Sequence, residues 1–493
     1  MSVTHARRRS ALVVLCFVQF MLVLDDTVVS VALPSIRDDL GFATTGLAWA
    51  VNAYFLAFGG LLLLFGRAAD LWGRRRAFLL GVTLFGAASL LCGLAQEPWQ
   101  LVTGRFLQGA GAALAGPAAL SLITLLFPGD DERARALGVW GGIAGLGGTA
   151  GLVISGALTG LTSWRWIFLI NLPVAAVALV ALPRLVAENR TTSRARLDVA
   201  GAVVGTGAVL ALVHGLLDAG ESGWGSTSVI ASLVLAVALG GAFLVIEARA
   251  AEPLVPLAFL AFRPRAVANT ATLLFSAAFY AMAFLLMIHL QTVVGYRPLE
   301  AGVAYLPYGA GILAGMWLSA RAVTRFGARP LLVVAFLISA AGLLLLSGVA
   351  PGDGYALGVL PGMLVTSVGC GLSLPALTGA AVAGTTEENA GLGAAIFSSV
   401  QQIGGAVGLA VLVTLATRHT VSRQAATEGF SFGMTGAAVL LVAGAALVAV
   451  FLPHRRVRTP ARWRHGPPTV TAERDRGRRR HRRSRPSTSR PGD

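Results

Sequence analysis

Two adjacent carboxylates, Asp25 and Asp26, interrupt the first long apolar stretch of the sequence. Because charged side chains are costly inside a membrane span, their presence there points to a function. A carboxyl in such a place can take up a proton from one side of a membrane and release it to the other. The alternative is a structural hydrogen bond between helices. On a helix the two residues point about 100° apart, and only Asp26 shares a face with Gln19 and Ser30.

A second polar pair, Arg105 and Gln108, lies in the apolar segment LVTGRFLQGAGAA (101–113). The two residues are three apart and therefore lie on one helical face. An unpaired Arg would be costly there, so we expect a carboxylate or a carbonyl group beside it. Gly109 and Gly111 allow a neighbouring helix to come close. The residue types alone are typical of a hydrogen-bonding hub inside a helix bundle.

The composition indicates which elements position these residues. The chain has 493 residues, of which 55% are apolar and 13% are charged, and its mean hydropathy is +0.73. An average soluble domain carries about 25% charge. These values exclude a disordered chain, a disulfide-framed miniprotein and a typical soluble enzyme. They predict an all-α polytopic membrane protein.

Motifs of soluble catalysis do not occur in the sequence. It contains no Walker loop, no HExxH or GxSxG motif and no zinc-ligand spacing. We therefore expect no enzyme activity, no metal and no cofactor. Without a nucleotide site, the proton is the expected coupling ion.

Fourteen apolar stretches are long enough to cross a bilayer, which takes roughly 20 residues. An even number of spans places both termini on the same side of the membrane. The stretches, numbered below as spans 1 to 14, are 11–33, 47–66, 77–95, 99–121, 137–158, 167–186, 199–217, 228–246, 269–290, 301–320, 330–350, 355–378, 391–416 and 433–452.

The distribution of Arg predicts the orientation. With the N-terminus inside, the inner segments before the tail hold 19 Arg and the outer loops hold five. Because cytoplasmic loops carry the excess of positive charge, both termini are predicted to be cytoplasmic and the protein to lie in the cell membrane. The tail 453–493 holds 14 Arg and three acidic residues. We expect it to be disordered and to rest on acidic lipid headgroups rather than to bind nucleic acid.

A short internal repeat indicates how the spans are grouped. Segment 66–75 reads GRAADLWGRR and segment 320–329 reads ARAVTRFGAR, with an offset of eight spans. Two six-helix bundles with two helices inserted between them would produce that offset. The predicted divisions are an N-terminal bundle at 1–186, two inserted helices at 187–250, a C-terminal bundle at 251–452 and the tail at 453–493.

The segment LDDTVVSVALP (24–34) resembles a span-1 signature, LDxTVVNVALP, of the fourteen-span drug:proton antiporters of the major facilitator superfamily. Asp25 takes the acidic position of the signature, and Ser30 replaces its Asn. The resemblance covers nearly the whole chain and implies the major facilitator fold, with proton coupling through Asp25 and Arg105. Helix geometry instead favours Asp26 as the acid that faces a cavity. Both carboxylates are therefore candidates, and Asp25 is preferred.

Two further segments resemble signatures of the superfamily. GRAADLWGRRR (66–76) is similar to a loop signature, and the resemblance implies a latch at the cytoplasmic face. LVTGRFLQGAGAA is similar to the span-4 signature and implies a role for its Arg in proton transfer; its matching residues are Arg105, Gln108, Gly109 and Gly111. The residues that match the loop signature are Gly66, Asp70, Gly73, Arg74 and Arg75.

Span 5 matches its signature, gxxxGPxxGG, only in part. Gly147, Gly151 and Gly156 fit, but Leu152 stands in place of the Pro and Ser155 in place of a Gly. A Pro kinks a helix and a Gly thins it, so that a partner helix can slide. The departure predicts that close helix packing is retained and leaves a carrier without proton exchange as an alternative to antiport.

At the entry to span 6, WRWIFLINLPV (164–174) resembles a further signature of the fourteen-span branch. We interpret it as structural. Trp164 and Trp166 are typical of the interfacial belt of a membrane protein. Asn171 and Pro173 indicate a local break in the helix.

The sequence as a whole predicts a proton-coupled exporter of small organic molecules that works by alternating access. The alternatives are a facilitator or uptake carrier without coupling, and a membrane sensor or scaffold that does not transport. The expected partners are a small-molecule substrate and the lipid bilayer, and we expect a monomer that binds no nucleic acid. The candidates for the lining of a central cavity are Asn52, Tyr54, Tyr280 and His289.

Overall fold

A computed structural model of the chain describes residues 5–43, 46–188, 197–250, 252–350, 352–385, 390–417 and 423–453. Within these ranges the regular secondary structure is entirely helical. Fourteen helical segments are long and apolar enough to cross a membrane, as the sequence predicted. Helices suit this environment because each one satisfies its backbone hydrogen bonds internally. The predicted tail lies outside the described residues except for residue 453.

Six spans form the N-terminal half. The sixth span is divided into two helices by a break at Ile170. A short 3-10 turn, Gly46–Ala48, leads into the second span. The helices are α1 (His5–Leu40), α2 (Trp49–Trp72), α3 (Arg74–Gly93), α4 (Pro98–Leu126), α5 (Asp130–Leu161), α6 (Trp166–Leu169) and α7 (Asn171–Leu185).

Two inserted spans and the C-terminal half follow. The inserted pair is α8 (Val199–Ser222) and α9 (Thr227–Arg249). A π-helical turn, Tyr355–Val359, leads into the fourth span of the C-terminal half. The helices of this half are α10 (Leu257–Leu260), α11 (Arg263–Thr292), α12 (Pro298–Ala304), α13 (Leu306–Phe326), α14 (Ala328–Ser347), α15 (Leu360–Ala381), α16 (Ala390–Thr417) and α17 (Arg423–Phe451).

Helix contacts divide the molecule into two six-span bundles. In the N-terminal half α4 packs on α2 and α3, and α1 packs on α5 and α7; in the C-terminal half α15 packs on α13 and α14, and α11 packs on α16 and α17. The halves meet where α2 contacts α16, α5 contacts α12 and α1 contacts α11. This is the predicted fold class of two six-helix bundles and two extra helices. The division points at 187 and 251 stay predictions.

The inserted helix α8 contacts both halves. Its Thr206 lies against Gly60 of α2, and the hydroxyl of Thr414 on α16 donates to the carbonyl oxygen of Leu216 at 2.8 Å. The partner helix α9 packs mainly on α8, and most of its apolar side chains are exposed. It therefore presents an apolar surface to lipid.

The internal repeat of the sequence has a matching geometry in the two halves. Gly73 ends α2 at a φ of 99°, and Gly327 ends α13 at a φ of 85°. Positive φ favours Gly because a Cβ atom clashes there. Arg75 donates to the carbonyl oxygen of Val186 after α7, and its counterpart Arg329 donates to that of Ala449 in α17. Each Arg thus joins the third span of its half to the end of the sixth span of the same half.

Both ends of the bundle can be defined by helix termini. We call the end at which α1 begins and α17 ends the terminal side, and the opposite end the far side. On the terminal side the guanidinium of Arg263 lies 5.7 Å from the ring centre of Phe451. On the far side the hydroxyl of Ser431 donates to the carbonyl oxygen of Ser347.

Candidate functional site

A buried ion pair occupies the centre of the N-terminal half. Arg105 of α4 and Asp25 of α1 are both fully inaccessible to solvent, and Arg105 Nη1 lies 2.5 Å from Asp25 Oδ2. Arg105 Nε also donates to the carbonyl oxygen of Ala50 at 3.0 Å. Arg105 therefore has both kinds of partner that the sequence analysis required. Its guanidinium lies 4.5 Å from the ring centre of Tyr54, which covers it from α2.

Two amide side chains complete the coordination of Asp25. Gln108 Nε2 and Asn171 Nδ2 both donate to Asp25 Oδ1, at 3.0 and 2.8 Å. The same two nitrogen atoms contact Ser89 Oγ at 2.7 and 3.3 Å. Arg105 Nη1 also donates to Gln108 Oε1 at 3.0 Å. The network joins α1, α3, α4 and α7, and it satisfies both oxygens of the carboxylate.

Such a network depends on every member. Removing one partner of a buried ion pair costs about 3–5 kcal/mol because the other charge remains buried without compensation. The charged carboxylate of Asp25 is stabilised by one guanidinium and two amides, and a proton on it would disturb all three contacts. The arrangement can therefore convert a change of protonation into a change of contact between helices.

Glycines bring α4 close enough to its neighbours to form the network. A Cβ atom at Gly109 would lie 2.4 Å from the carbonyl oxygen of Tyr54 on α2. A Cβ atom at Gly111 would lie 2.7 Å from the backbone nitrogen of Phe85 on α3. Real Cβ contacts are not this short, so both positions require Gly at the observed helix separation.

The entry to span 6 positions Asn171. Trp164 Nε1 and Arg165 Nη1 both donate to Asp39 at the end of α1, at 3.0 and 2.5 Å. The helix then breaks at Ile170, and α7 starts at Asn171, whose side chain is buried. The expectation that Trp164 belongs to an interfacial belt is wrong: it is 3% exposed because it packs inward to reach Asp39.

Sequence reasoning missed Asn171 and Ser89 as members of the site. The segment around Asn171 was interpreted as structural, and Ser89 was not considered. One signal was present in the sequence: a side-chain amide within an apolar span must find a partner among the other spans. Which span supplies that partner depends on how the helices are arranged.

Asp26 lies in a different environment from Asp25. Its Oδ1 atom is buried and has no hydrogen-bond partner among the described residues. Its charge interacts with the hydroxyl groups of Tyr54 on α2 and Tyr280 on α11. The rings of Phe55 and Tyr280, one from each half, lie 4.5 Å apart. Asp26 is therefore near the contact between the halves, whereas Asp25 lies inside one of them.

The other cavity candidates do not all lie together. Asn52 is buried, and neither of its side-chain amide atoms has a partner among the described residues. It shares a helical face with Phe55 and Gly59, which contact the C-terminal half. Tyr54 faces Arg105 within its own half. His289 stacks on Phe430 at 4.2 Å, between α11 and α17, so the described contacts do not bring it to this group.

Polar atoms of α16 also lie at the contact between the halves. A Cβ atom at Gly59 would lie 2.9 Å from the Cβ atom of Gln402 and 3.2 Å from the carbonyl oxygen of Ser399. Gln402 Oε1 and Ser399 Oγ are buried without a partner among the described residues. Unpaired buried polar atoms are unusual and commonly mark a ligand or ion site.

The predicted cytoplasmic latch forms a compact turn on the terminal side. Gly73 separates α2 from α3, and a Cβ atom there would lie 2.4 Å from Glu188 Oε1. Glu188, which follows α7, lies 3.5 Å from Arg75 Nε and 3.7 Å from Arg76 Nε. Gly66 lies near Pro117 of α4, and Arg74 is the first residue of α3. The side chain of Asp70 lies outside the described part of the chain.

Both connections of the inserted helix pair are attached to this turn. Glu188 precedes α8 and pairs with Arg75 and Arg76, while Glu252 follows α9 and forms an ion pair with Arg67. The α2–α3 turn thus holds the chain on both sides of the insertion.

Charge reversal tests this attachment. We expect Arg67→Glu and Glu252→Arg each to lower the free energy of unfolding by about 1 kcal/mol, since this partly exposed pair is worth at most that amount. The double reversal should recover most of the loss. Thermal melting of the four proteins in detergent gives the coupling energy. Additive losses in the double variant would contradict the pairing.

The matching residues of span 5 face two different helices. Cβ atoms at Gly147 and Gly151 would meet α1, at 3.3 Å from Val23 Cβ and 2.3 Å from Thr27 Oγ1. A Cβ atom at Gly156 would meet the C-terminal half, at 2.6 Å from the carbonyl oxygen of Pro298. Ser155, which replaces a Gly of the signature, donates to the carbonyl oxygen of Val28 at 2.5 Å and so ties α5 to α1.

The site combines a buried charge network in one half, a polar and aromatic contact between two pseudo-repeated halves, and helices that approach closely at glycines. These features are typical of a transporter rather than an enzyme. The chain matches the model of the Major Facilitator Superfamily over residues 15–409. It belongs to this superfamily, and its relatives are those of the fourteen-span drug efflux branch.

Two relatives illustrate the similarity. The chain is 40% identical to the puromycin resistance protein pur8 of Streptomyces alboniger, over 90% of each chain. It is 36% identical to the cephamycin export protein CmcT of Amycolatopsis lactamdurans, over 94% of each chain. These proteins are named for antibiotic resistance and export, which supports drug export by a multi-pass membrane transporter.

A solved structure shows the same fold. The xylose transporter XylE of E. coli, in a partially occluded inward-open conformation, superposes with a TM-score of 0.63 at 15% identity. The superposition covers 92% of this chain and 100% of that protein. At this identity the similarity concerns the fold alone.

Proposed function

We propose that this protein exports small organic molecules in exchange for protons. The observation that carries the proposal is the fully buried ion pair of Asp25 and Arg105, whose other hydrogen-bond partners among the described residues are two amides and a backbone carbonyl. Protonation of Asp25 removes half of that charge pair and favours a different arrangement of α1, α4 and α7. The halves then rock about the site, opening it alternately to the two sides of the membrane.

The substrate site in this proposal lies between the halves, beside Asp26. Asp26 Oδ1, which has no partner among the described residues, suits a positive or hydrogen-bond-donating group. The rings of Phe55 and Tyr280 supply apolar faces, and Asn52 supplies an amide. We propose an apolar, positively charged organic compound as substrate, and the names of the relatives suggest an antibiotic.

The same proposal includes the setting of the protein. The excess of Arg in the inner segments supports a place in the cell membrane with both termini in the cytoplasm. The terminal side is then the cytoplasmic side. We propose that the protein works as a monomer, with the proton as its coupling ion and no cofactor.

A transport assay tests the proposal. Puromycin or ethidium accumulation is measured in a pump-deficient bacterium that expresses this protein or carries an empty vector, with and without a protonophore. We expect the protein to lower accumulation and the protonophore to abolish the difference. Export that persists with the protonophore would instead support a carrier without proton coupling. The helix α5, which is continuous and contains no Pro, also favours that alternative.

The role of Asp26 can be tested separately. We expect Asp26→Asn to lower ethidium efflux about tenfold, because the cation loses a charged partner, and to leave efflux of uncharged chloramphenicol within twofold of wild type. Asp38→Asn on the same helix is the matched control, since Asp38 is exposed and pairs only with Arg37 among its described contacts. Equal losses for both probes would contradict a site for positive charge.

A further inference from the structure

Asn171 is placed to respond to the protonation of Asp25. Its amide nitrogen donates to Asp25 Oδ1 at 2.8 Å, while its own Oδ1 atom is buried without a partner among the described residues. The side chain is 1% exposed. A buried amide that uses its donor and leaves its acceptor free has one unmet hydrogen bond in this state.

Protonation of Asp25 Oδ1 creates an O–H group that needs a hydrogen-bond acceptor among its neighbours. Arg105 bonds to the other carboxylate oxygen, Oδ2. Gln108 Nε2 has Ser89 Oγ as a second acceptor at 2.7 Å. Gln108 and Asn171 both present an N–H group to this hydroxyl, and both nitrogens also contact Ser89 Oγ. Gln108 Oε1 already accepts from Arg105 Nη1, whereas Asn171 has an oxygen atom without a partner among the described residues. Its free oxygen becomes the suitable acceptor after the amide turns over.

We propose that Asn171 is a positioning residue that couples the protonation state of Asp25 to span 6. This inference rests on the proposed proton-coupled function. With Asp25 charged, the Asn171 amide donates to Oδ1. When Oδ1 takes up one proton and no other covalent bond changes, the amide turns and its oxygen accepts the new O–H bond. The start of α7 thereby registers whether the proton is present.

Few other groups near Asp25 can titrate or carry charge. The helix α7 contributes the neutral Asn171, and α5 contributes Ser155, which bonds to the backbone of α1. On α11 the hydroxyl of Tyr280 interacts with Asp26 rather than with Asp25. The groups that interact electrostatically with Asp25 are Arg105 of α4, Cys92 of α3, Tyr54 of α2 and the adjacent Asp26.

Infrared spectroscopy of the purified full-length protein measures the protonation directly. The carbonyl band of the protonated carboxyl is followed against pH, and its loss in Asp25→Asn assigns it. We expect Asn171→Leu, which removes one hydrogen bond to the carboxylate, to move the midpoint to higher pH by about one unit or more. Asn171→Asp keeps the size of the side chain and should move the midpoint in the same direction, because two carboxyls then share a proton.

A matched control comes from α11. Asn269 is also buried, but its amide donates to the carbonyl oxygen of Arg265 in its own helix. We expect Asn269→Leu to leave the midpoint of Asp25 within about 0.3 units of wild type. If both Asn171 variants titrate like wild type, the inference is overturned. Should Asn171→Leu fail to fold, the nearly isosteric Asn171→Asp decides the question.

Transport in proteoliposomes separates this inference from the proposed function. Ethidium transport driven by an imposed pH gradient should keep its pH optimum in Asn269→Leu and move to higher pH in Asn171→Leu. Suppose that the infrared midpoint is shifted in Asn171→Leu but the wild type shows no proton-driven transport. This result would contradict the proposed function and leave the inference about Asn171 standing. Proton-driven transport by the wild type with an unshifted midpoint in Asn171→Leu would contradict the inference and leave the proposed function standing.

Discussion

Replacing Asp25 by Asn is expected to abolish proton-driven transport, by about 100-fold or more, while exchange of substrate across the membrane continues. The amide does not titrate at physiological pH and leaves the buried charge of Arg105 without its counter-ion. The loss of such a partner costs about 3–5 kcal/mol, which exceeds two powers of ten in an equilibrium. Proteoliposomes with an imposed pH gradient measure the driven reaction, and counterflow without a gradient measures the exchange.

Two control variants show whether the effect is specific. Asp26→Asn changes the neighbouring carboxylate, which does not bond to Arg105 among the described contacts. With uncharged chloramphenicol as the substrate, this variant should keep the response to the pH gradient. Asp25→Asn combined with Arg105→Gln removes both charges and should recover melting temperature without recovering coupling. Uphill transport by Asp25→Asn would place the coupling proton elsewhere and would remove the basis of the proposed mechanism.

The structure gives the two carboxylates different neighbours, and this difference has a functional meaning. Asp25 has a full set of donors inside the N-terminal half, so its chemistry is confined to the proton and the helices around it. Asp26 has an oxygen atom near the contact between the halves that lacks a hydrogen-bond partner in the described part of the chain. One acid is therefore proposed to bind the proton and the other to bind the substrate. Tyr54, whose ring covers the guanidinium of Arg105, interacts electrostatically with both carboxylates.

Much of this architecture could be predicted from the sequence because it depends on local properties. The spans follow from the length of apolar stretches, and the matched turns at Gly73 and Gly327 follow from a short repeat. The need of Arg105 for a carboxylate or carbonyl partner follows from the cost of an unpaired charge. None of these inferences requires knowledge of which helices touch.

What the sequence could not supply was the pairing of side chains across helices. Helical periodicity places Asp26 on a polar face and Asp25 on an apolar one, yet the residue on the apolar face is the one that accepts three side-chain hydrogen bonds. The partner Asn171 lies 146 positions away along the chain. Trp164 was expected at an interface and is buried, because Asp39 supplies a polar partner for its indole N–H group.

The second large effect is expected at Gly156, where the halves meet on the far side. A Cβ atom there would lie 2.6 Å from the carbonyl oxygen of Pro298 and 2.9 Å from Leu299 Cα. The reciprocal approach is as close, since a Cβ atom at Gly302 would lie 2.5 Å from the carbonyl oxygen of Leu152. Backbone atoms cannot move aside as a flexible side chain can, so any larger residue must separate α5 from α12.

We therefore expect Gly156→Leu to prevent closure of the far side and to lower transport by about five- to 150-fold. Overpacking of this kind costs about 1–3 kcal/mol, which corresponds to that range of population. Leu161 and Val303 are both exposed and can carry spin labels. The distance between the labels, measured by double electron–electron resonance, reports the separation of α5 and α12. The distance should lengthen in Gly156→Leu while substrate binding persists, because the site near Asp26 is not altered.

Gly160, one turn further along α5, provides the matched control. A Cβ atom there would lie 3.8 Å from the backbone nitrogen of Leu299, which is ordinary van der Waals contact. Gly156→Ala should therefore impair transport and lengthen the label distance, whereas Gly160→Ala should leave both unchanged. If the two Ala variants behave alike, close approach at Gly156 is not what closes the far side. If only Gly156→Ala is impaired, a transport step depends on the absence of one methyl group at the contact between the halves.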